Sequence, residues 1–420
     1  MTIVHLRRSE PLPRRGEAGR GLRAGRGLRA GRGLLLLLFF LSSLLTASAQ
    51  SLAERLDSLF RTHAALTQRI LVGVSVYDLT ADSLLYARNE RKTMRPASNM
   101  KLITAIAALD RLGTDYRYTT AFCLDTSRID SLGVLRDRLF IRAGMDPLLG
   151  RSDLDGIARQ LRSLGVREIA GGLCFDNGFK DGTRWGEGWC WDDDEDTNPT
   201  LAALLYGGKP VFEDNMLLAL ARQDIRVTSY ASQSECPERA SVRLRVERPV
   251  SEVLRPMMKR SDNLMAESLF YQLAHAVGGD YADRSHAAGA IGELVRRIGL
   301  EPADYYFADG SGVSLYDYAS PELLLRLLRH AYSREDIYRT LLPSLPRAGE
   351  DGTLQSRMTG SRAVGNVQAK TGTCTGVSTL SGYATAANGH RLCFSIMCQG
   401  QRAARTARDF QDRICLELVR

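Results

Sequence analysis

The chain has 420 residues, enough for one large domain carrying an insertion or for two domains. An apolar share of 44% is ordinary for a globular protein and excludes bulk disorder. The formal charge of +8 invites a nucleic-acid partner, but residues 1–33 hold nine Arg against two Glu, so residues 34–420 keep only about +1 and no basic stripe for a phosphate backbone.

That Arg-rich start precedes an apolar run from Leu34 to Leu41, extended by Leu44 and Leu45, and then the small-residue pattern Ala47-Ser48-Ala49. This is the three-part layout of a secretory signal peptide over residues 1–49, with cleavage after Ala49 and a periplasmic mature chain. The apolar run is short for a bilayer span. Left uncleaved it would instead anchor the chain, so a peripheral membrane contact stays open. No Cys follows the run, which argues against a lipoprotein anchor.

The mature chain opens with a capping box, Ser51 and Glu54, followed by Leu52, Leu56, Leu59 and Phe60 at helical spacing. Ile70–Asp78 and Ser83–Ala87 read as a hairpin across Thr80-Ala81-Asp82. Pro96 opens a helix, Ala97–Leu112, apolar nearly all round and therefore predicted to be central and buried. Residues 119–245 alternate short strands and helices and are read as an inserted α/β domain, splitting a main domain into 50–118 and 246–420. Within the insertion a helix begins at Ser152 and ends at Gly165, and Ile169–Phe175 reads as one strand. Trp185, Trp189 and Trp191 then lead into Asp192–Asp196, an acidic run read as a solvated loop rather than a metal site. Downstream, Asn263–Ala276 and Pro321–Tyr332 read as helices, Gln368-Ala369-Lys370 as the end of a strand, and Thr379–Ala384 with Arg391–Met397 as a hairpin. Arg402–Arg420 closes as an amphipathic helix. Helices around antiparallel strands make this an α+β fold.

Eight cysteines lack metal-site spacing and read mostly as buried thiols, although export permits disulfides. Six scattered His give no zinc signature, and neither metal nor cofactor is expected.

Three short motifs carry chemistry: Ser98-Asn99-Met100-Lys101, Ser261-Asp262-Asn263, and Lys370-Thr371-Gly372-Thr373. A serine hydroxyl needs a base within hydrogen-bond reach. Residues three apart share a helix face, so Lys101 can sit beside Ser98. An apolar helix desolvates the lysine and lowers its pKa, as does a neighbouring cation. Ser98 lies in the first turn after Pro96, where free N–H groups favour an oxyanion. The chain has only six Lys against fifty Arg, and Lys101 alone among them has a serine three residues before it. Arg cannot give up its proton, so it cannot replace a lysine base. Each motif alone is weak; the ordered trio is specific.

On these motifs the chain resembles the low-molecular-mass class C penicillin-binding proteins, the D-alanyl-D-alanine carboxypeptidase/endopeptidase family. Further likenesses are Lys259 before the second motif, Ala266-Glu267, Gly144-Met145-Asp146-Pro147-Leu148-Leu149, Asp309-Gly310-Ser311-Gly312, Asp351-Gly352-Thr353-Leu354 and Leu380-Ser381-Gly382-Tyr383. The resemblance covers nearly all of residues 52–420, with Met258 and Arg260 as small departures. The 163 residues from Ser98 to Ser261 match the family's habit of nesting extra domains there, though the gap looks short for two. The resemblance implies a penicillin-binding/serine β-lactamase-like transpeptidase domain, peptidoglycan stem peptides ending in D-Ala-D-Ala as substrate, and β-lactams as covalent inhibitors. It implies Ser98 as nucleophile, Lys101 as base, and N–H groups of Ser98 and Thr373 as oxyanion hole. Ser261 would relay the proton to the leaving amine, Asn263 would hold the substrate amide, and Lys370 with Thr371, beside Gly372, would bind the terminal carboxylate. The Asp309 and Asp351 loops read as structural turns, and Glu267 as a polar partner of Asn263 one turn away.

Two rivals differ in kind. A serine β-lactamase or D-specific esterase could use the same trio and would deacylate penicillin rapidly. A non-catalytic wall-binding protein would show a damaged trio, and all three motifs are intact.

Overall fold

The computed structural model describes residues 50–124, 129–194, 197–229 and 231–420; the leader read at 1–49 lies outside them. Strands β1 (Leu71–Asp78), β2 (Ser83–Arg88), β11 (Gln368–Cys374), β12 (Val377–Thr385) and β13 (Arg391–Gln399) form one antiparallel sheet in the order β11-β12-β13-β1-β2. Side chains alternate across it, as a pleated strand requires. Val74, Val76, Phe394 and Ile396 face helices α1 (Leu52–Thr62) and α9 (Ala404–Leu418), meeting Leu56, Phe60, Phe410 and Ile414. Tyr77, Cys393 and Met397 point the other way, into the larger core built on α2 (Met100–Leu112) and α8 (Pro321–Ser333).

Helix α2 is buried without a break from Met100 to Leu109. Each of its large apolar side chains gains roughly 1.5–3 kcal/mol from leaving water. The same burial strips solvent from Lys101, the second residue of that run. Ser51 and Glu54 form the expected capping box on α1, and the hairpins at β1–β2 and β12–β13 lie where the alternation placed them.

Between the first two motifs the chain builds two further sheets. β3 (Arg117–Leu124), β5 (Leu139–Arg142), β7 (Leu173–Asp176), β9 (Ser232–Gln233) and β10 (Ser241–Pro249) form the larger, in the order β10-β3-β5-β7-β9; β4 (Val134–Leu135), β6 (Glu168–Ile169) and β8 (Arg226–Val227) form a small parallel one. Helices α3 (Arg151–Ser163) and α4 (Phe212–Ala221) accompany them. β3 and β10 pair from Arg117 opposite Pro249 to Leu124 opposite Ser241, so the chain leaves and returns side by side. The Gly144–Leu149 segment docks this region on α6 (Asn263–Gly278), which follows α5 (Val250–Lys259). Gln272 Nε2 donates to Gly144 O at 2.8 Å and Ser268 Oγ to Met145 O at 2.5 Å.

Two sequence expectations change. Ile169–Phe175 is not one strand: it breaks at Gly171-Gly172, and its halves join different sheets. Gly172 adopts φ +85° and a Cβ on Gly171 would fall 2.2 Å from Asp137 C, so a backbone crossing replaces the extended run. Gln368 begins its strand rather than ending it, which places the whole third motif inside β11. All eight cysteines are free thiols, six of them buried.

Candidate active site

Ser98 sits in a single 3-10 turn, Ala97–Asn99, that leads directly into α2. The turn is gripped from both sides. Thr379 Oγ1 donates to Pro96 O at 2.8 Å and Asn99 Nδ2 to Lys370 O at 3.0 Å, tying it to β12 and β11. Gly372 lies so close that a Cβ there would stand 2.9 Å from Pro96 O and 3.1 Å from Ser98 N; on the other side a Cβ on Gly312 would meet Ala97 O at 1.9 Å. Ala97 takes φ +45° and Ser261 φ +63°, conformations that non-glycine residues hold only under constraint. Two of the eight non-glycine residues with positive φ among the described residues thus belong to this one site.

Lys101 is wholly buried, and its Nζ lies 3.1 Å from Ser98 Oγ, 2.7 Å from Asn263 Oδ1 and 2.7 Å from Ser311 O. Burial brings its pKa down to about 8, against the opposing pull of Asp309 and then Glu267. The third motif arrives from β11: Lys370, also buried, donates to Ser261 Oγ at 2.9 Å and to Thr371 O at 2.8 Å. Burial pushes its pKa well below the usual lysine value, and the neighbouring Lys101 adds to that. Thr371 Oγ1 donates to Thr353 Oγ1 at 2.7 Å, and Thr373 is exposed on the same strand. Residues 98, 101, 261, 263 and 370–373, scattered over three stretches of sequence, are thus brought together at one site. A hydroxyl beside an amine held near neutral, next to a second hydroxyl–amine pair, can attack a carbonyl and pass protons in both directions.

Several supporting residues take roles the sequence did not reveal. Asp309 accepts hydrogen bonds from the backbone N–H of Ser311, Gly312 and Ser314 and from Trp189 Nε1 at 2.8 Å. Its loop is therefore the device that presents the Ser311 carbonyl to Lys101. Glu267 does not pair with Asn263. It is buried and accepts from Gly310 N–H at 3.1 and 3.2 Å, with its pKa raised to about 8 by burial and then by Asp309. The other Asp loop is held by Lys259, whose Nζ donates to Asp351 at 2.6 and 2.7 Å and to Leu345 O at 2.6 Å. Arg408, from α9, donates to Thr373 Oγ1 at 3.1 Å. In the Trp-rich segment Asp192–Asp194 are exposed, as read, and residues 195 and 196 lie outside the described residues.

The fold and this constellation are those of a serine peptidase of the penicillin-binding type. The family described as D-Ala-D-Ala carboxypeptidase 3 (S13) matches residues 52–211 and 209–418, and the chain belongs to that family of serine peptidases. It is 27% identical over 450 residues to a D-alanyl-D-alanine carboxypeptidase of Actinomadura sp. (strain R39), covering 84% of this chain and 82% of that one. It is 26% identical over 415 residues to D-alanyl-D-alanine carboxypeptidase DacB of Haemophilus influenzae, covering 78% and 86%. The crystal structure of penicillin binding protein 4 (dacB) from H. influenzae superposes with a TM-score of 0.76 at 22% identity, over 86% of this chain and 97% of that one. Bd3459, a predatory peptidoglycan endopeptidase from Bdellovibrio bacteriovorus, shares the fold at a TM-score of 0.54 and 19% identity, over 82% and 91%.

Proposed function

We propose that this D-Ala-D-Ala carboxypeptidase works through an acyl-enzyme on Ser98, and that the three hydrogen bonds of Lys101 Nζ are the observation that carries the assignment. Ser98 Oγ attacks the carbonyl between the two D-Ala residues as its proton passes to Lys101 Nζ. The oxyanion is met by the N–H groups of Ser98 and Thr373, a role supported by the close seating of Gly372 on the Ser98 turn. The tetrahedral intermediate collapses with cleavage of the C–N bond, and the proton taken up by Lys101 passes to the leaving amine by way of Ser261, which Lys370 touches, so that Lys101 is neutral again. Asn263 holds the peptide amide, and Lys370 with Thr371 receives the terminal carboxylate. Water then enters where the amine left, gives its proton to Lys101, and releases the shortened stem peptide with Ser98 restored.

The same reading makes peptidoglycan stem peptides the substrate and β-lactams acylating mimics of it. Support comes from two similar proteins: the H. influenzae enzyme solved in complex with a novel β-lactam and Bd3459 solved as its penicillin G acyl-enzyme. We assign residues 119–245 to an inserted domain, a division supported by the paired entry and exit strands β3 and β10. Export to the periplasm rests on the leader pattern at 1–49. Among the described residues no helix is long and apolar enough to cross a membrane.

Digestion of purified muropeptides by wild type and Ser98→Ala tests the proposal. Release of D-Ala from monomers supports carboxypeptidase action, and cleavage of dimers adds endopeptidase action. A wild type that releases no more than Ser98→Ala from either overturns it. Fast turnover of penicillin instead of a stable adduct would favour the β-lactamase reading.

A further inference from the structure

Lys101 can act as a base only through its lone pair, and the direction of that lone pair is set by what its N–H bonds do. The neutral amine has two N–H donors and one lone pair in tetrahedral array. Two acceptors, Asn263 Oδ1 and Ser311 O, each stand 2.7 Å from Nζ. They take both N–H bonds, and the remaining tetrahedral direction is left for Ser98 Oγ at 3.1 Å. The aim of the base is then only as good as the fixing of these two oxygens.

Both are fixed by the same stretch of the chain, from the region between the first two motifs. Asn263 Nδ2 donates to Thr197 O at 2.9 Å, which sets the amide so that Oδ1 faces Lys101. Ser311 is held by Asp309, whose carboxylate accepts from Ser311 N at 3.0 Å, from Gly312 N at 2.6 Å and from Trp189 Nε1 at 2.8 Å. Trp189 is 7% exposed and reaches Asp309 from a segment 120 residues away in sequence. Gly188, its neighbour, accepts from Leu315 N–H at 3.1 Å. The two contact points are themselves tied together: buried Asn198, next to Thr197, donates through Nδ2 to Cys190 O, next to Trp189, at 2.6 Å.

We propose that Trp189–Cys190 and Thr197–Asn198, tied together by the Asn198–Cys190 hydrogen bond, form a positioning strap for the general base, with Trp189 and Asn198 as positioning residues that aim Lys101 at Ser98 through Asp309–Ser311 and through Asn263. The proposal rests on the assignment of Ser98 and Lys101 above and extends it. No part of the strap needs to touch substrate for this role. A region that lies outside the nucleophile's own helix thereby becomes part of the acyl-transfer apparatus.

The test measures acylation of the full chain by a fluorescent penicillin, separating the second-order rate constant from the fraction of molecules finally labelled. Trp189→Phe keeps an aromatic ring and removes the N–H; Asn198→Ala removes the tie to Cys190. In both, the rate constant is expected to fall by about 10- to 100-fold, the scale of a small misalignment of reacting groups, with the final labelled fraction unchanged. The pH profile is expected to move as well. The titratable groups acting on Lys101 are Asp309, Glu267, Asp262 and Asp317, whose ionised forms favour its ammonium form, and Lys370, whose ammonium opposes it. Removing the indole N–H frees Asp309 and so loosens the Ser311 carbonyl that favours the ammonium, and the acid limb of Trp189→Phe shifts to lower pH. A structural role alone would reduce the labelled fraction and leave rate constant and limb in place. Trp191→Phe, at an indole 89% exposed on the same segment, is expected to keep the wild-type rate constant. Wild-type rate constant and limb in folded Trp189→Phe, a wild-type rate constant in folded Asn198→Ala, or an equal fall in Trp191→Phe, overturns the proposal. A wild type that penicillin does not acylate, or a Ser98→Ala variant that it does, overturns the underlying assignment of Ser98 instead.

Discussion

The amine of Lys370 donates to the hydroxyl of Ser261 at 2.9 Å across 109 residues of sequence. Neither residue is placed by the other's secondary structure. Lys370 rides on β11, and Ser261 holds a positive φ in the short link ahead of α6. The pair joins the second motif to the third, and in the proposed mechanism it is the proton path to the leaving amine. Ser261→Ala leaves the buried Lys370 Nζ with Thr371 O as its remaining hydrogen-bond partner. Acylation by penicillin and D-Ala release are both expected to fall by about 100-fold, within the usual range for loss of a proton-transfer group. Stopped-flow acylation and muropeptide digestion check this.

Lys101→Met removes the base and is expected to abolish measurable acylation. Its stability carries a second signature. The folded pKa of about 8 lies below the ordinary 10.5, so between these values the native state has released a proton that the unfolded chain keeps. Wild type should therefore gain stability relative to Lys101→Met as pH rises through that window, by up to about 3 kcal/mol. Denaturant unfolding at pH 7 and pH 10 measures the difference; a constant difference would count against a depressed Lys101. In the active enzyme the same group predicts an acid limb of acylation near pH 8.

Glu267→Gln tests the opposite sign. Glu267 is raised from 4.5 to about 8, so the native state holds its proton after the unfolded chain has lost it. Relative to Glu267→Gln, wild type is expected to lose stability as pH rises from about 4.5 to about 8, by up to about 5 kcal/mol. A glutamine Oε1 can still accept from Gly310 N–H, so Tm of the variant at pH 5 should match wild type. Melting curves across pH 5–8 show whether the two diverge.

Gly372→Ala tests how closely β11 must approach the nucleophile. The added Cβ would stand 2.1 Å from Thr379 Oγ1 and 3.1 Å from Ser98 N, so either the strand or the turn must move. Acylation is expected to drop by at least about 100-fold, since small displacements of reacting groups cost that much. The sheet has nine-residue partners in β12 and β13 and should survive, with far-UV circular dichroism unchanged.

Asp351→Asn weakens the clasp that Lys259 makes at 2.6 Å. Asp351 is half-exposed and its pKa is lowered, with the Lys259 hydrogen bond the first cause to act in that direction. Its contribution is present above the ordinary carboxylate pKa and lost on acidification. The variant is expected to lose about 1 kcal/mol at pH 7, as for a hydrogen bond to a charged group with partial solvent screening, and less near pH 3. Chemical denaturation at the two pH values checks it.

What the sequence by itself determined is what depends on local spacing. Ser98 and Lys101 share a helix face because they lie three residues apart. The run from Leu102 to Leu109, apolar except for Thr104, forces that helix into the core and the lysine with it. Ser51 and Glu54 cap a helix that Leu56 and Phe60 then bury. The order of the three motifs was enough to place the chain in its family. Tertiary structure decided whatever depends on distant backbone. The Ser311 carbonyl and Thr197 carbonyl carry no signature, since every residue has a carbonyl and only the fold aims these two. Glu267 was read as a neighbour of Asn263 because they lie one turn apart, but the Gly310 N–H brought against α6 is the stronger claim on a buried carboxyl. Ile169–Phe175 looked continuous by composition, yet a backbone crossing at Gly171 divides it between two sheets. Spacing along one helix is enough to pair Ser98 with a base. Aiming that base takes acceptors from two other segments, which meet it only once the chain is folded.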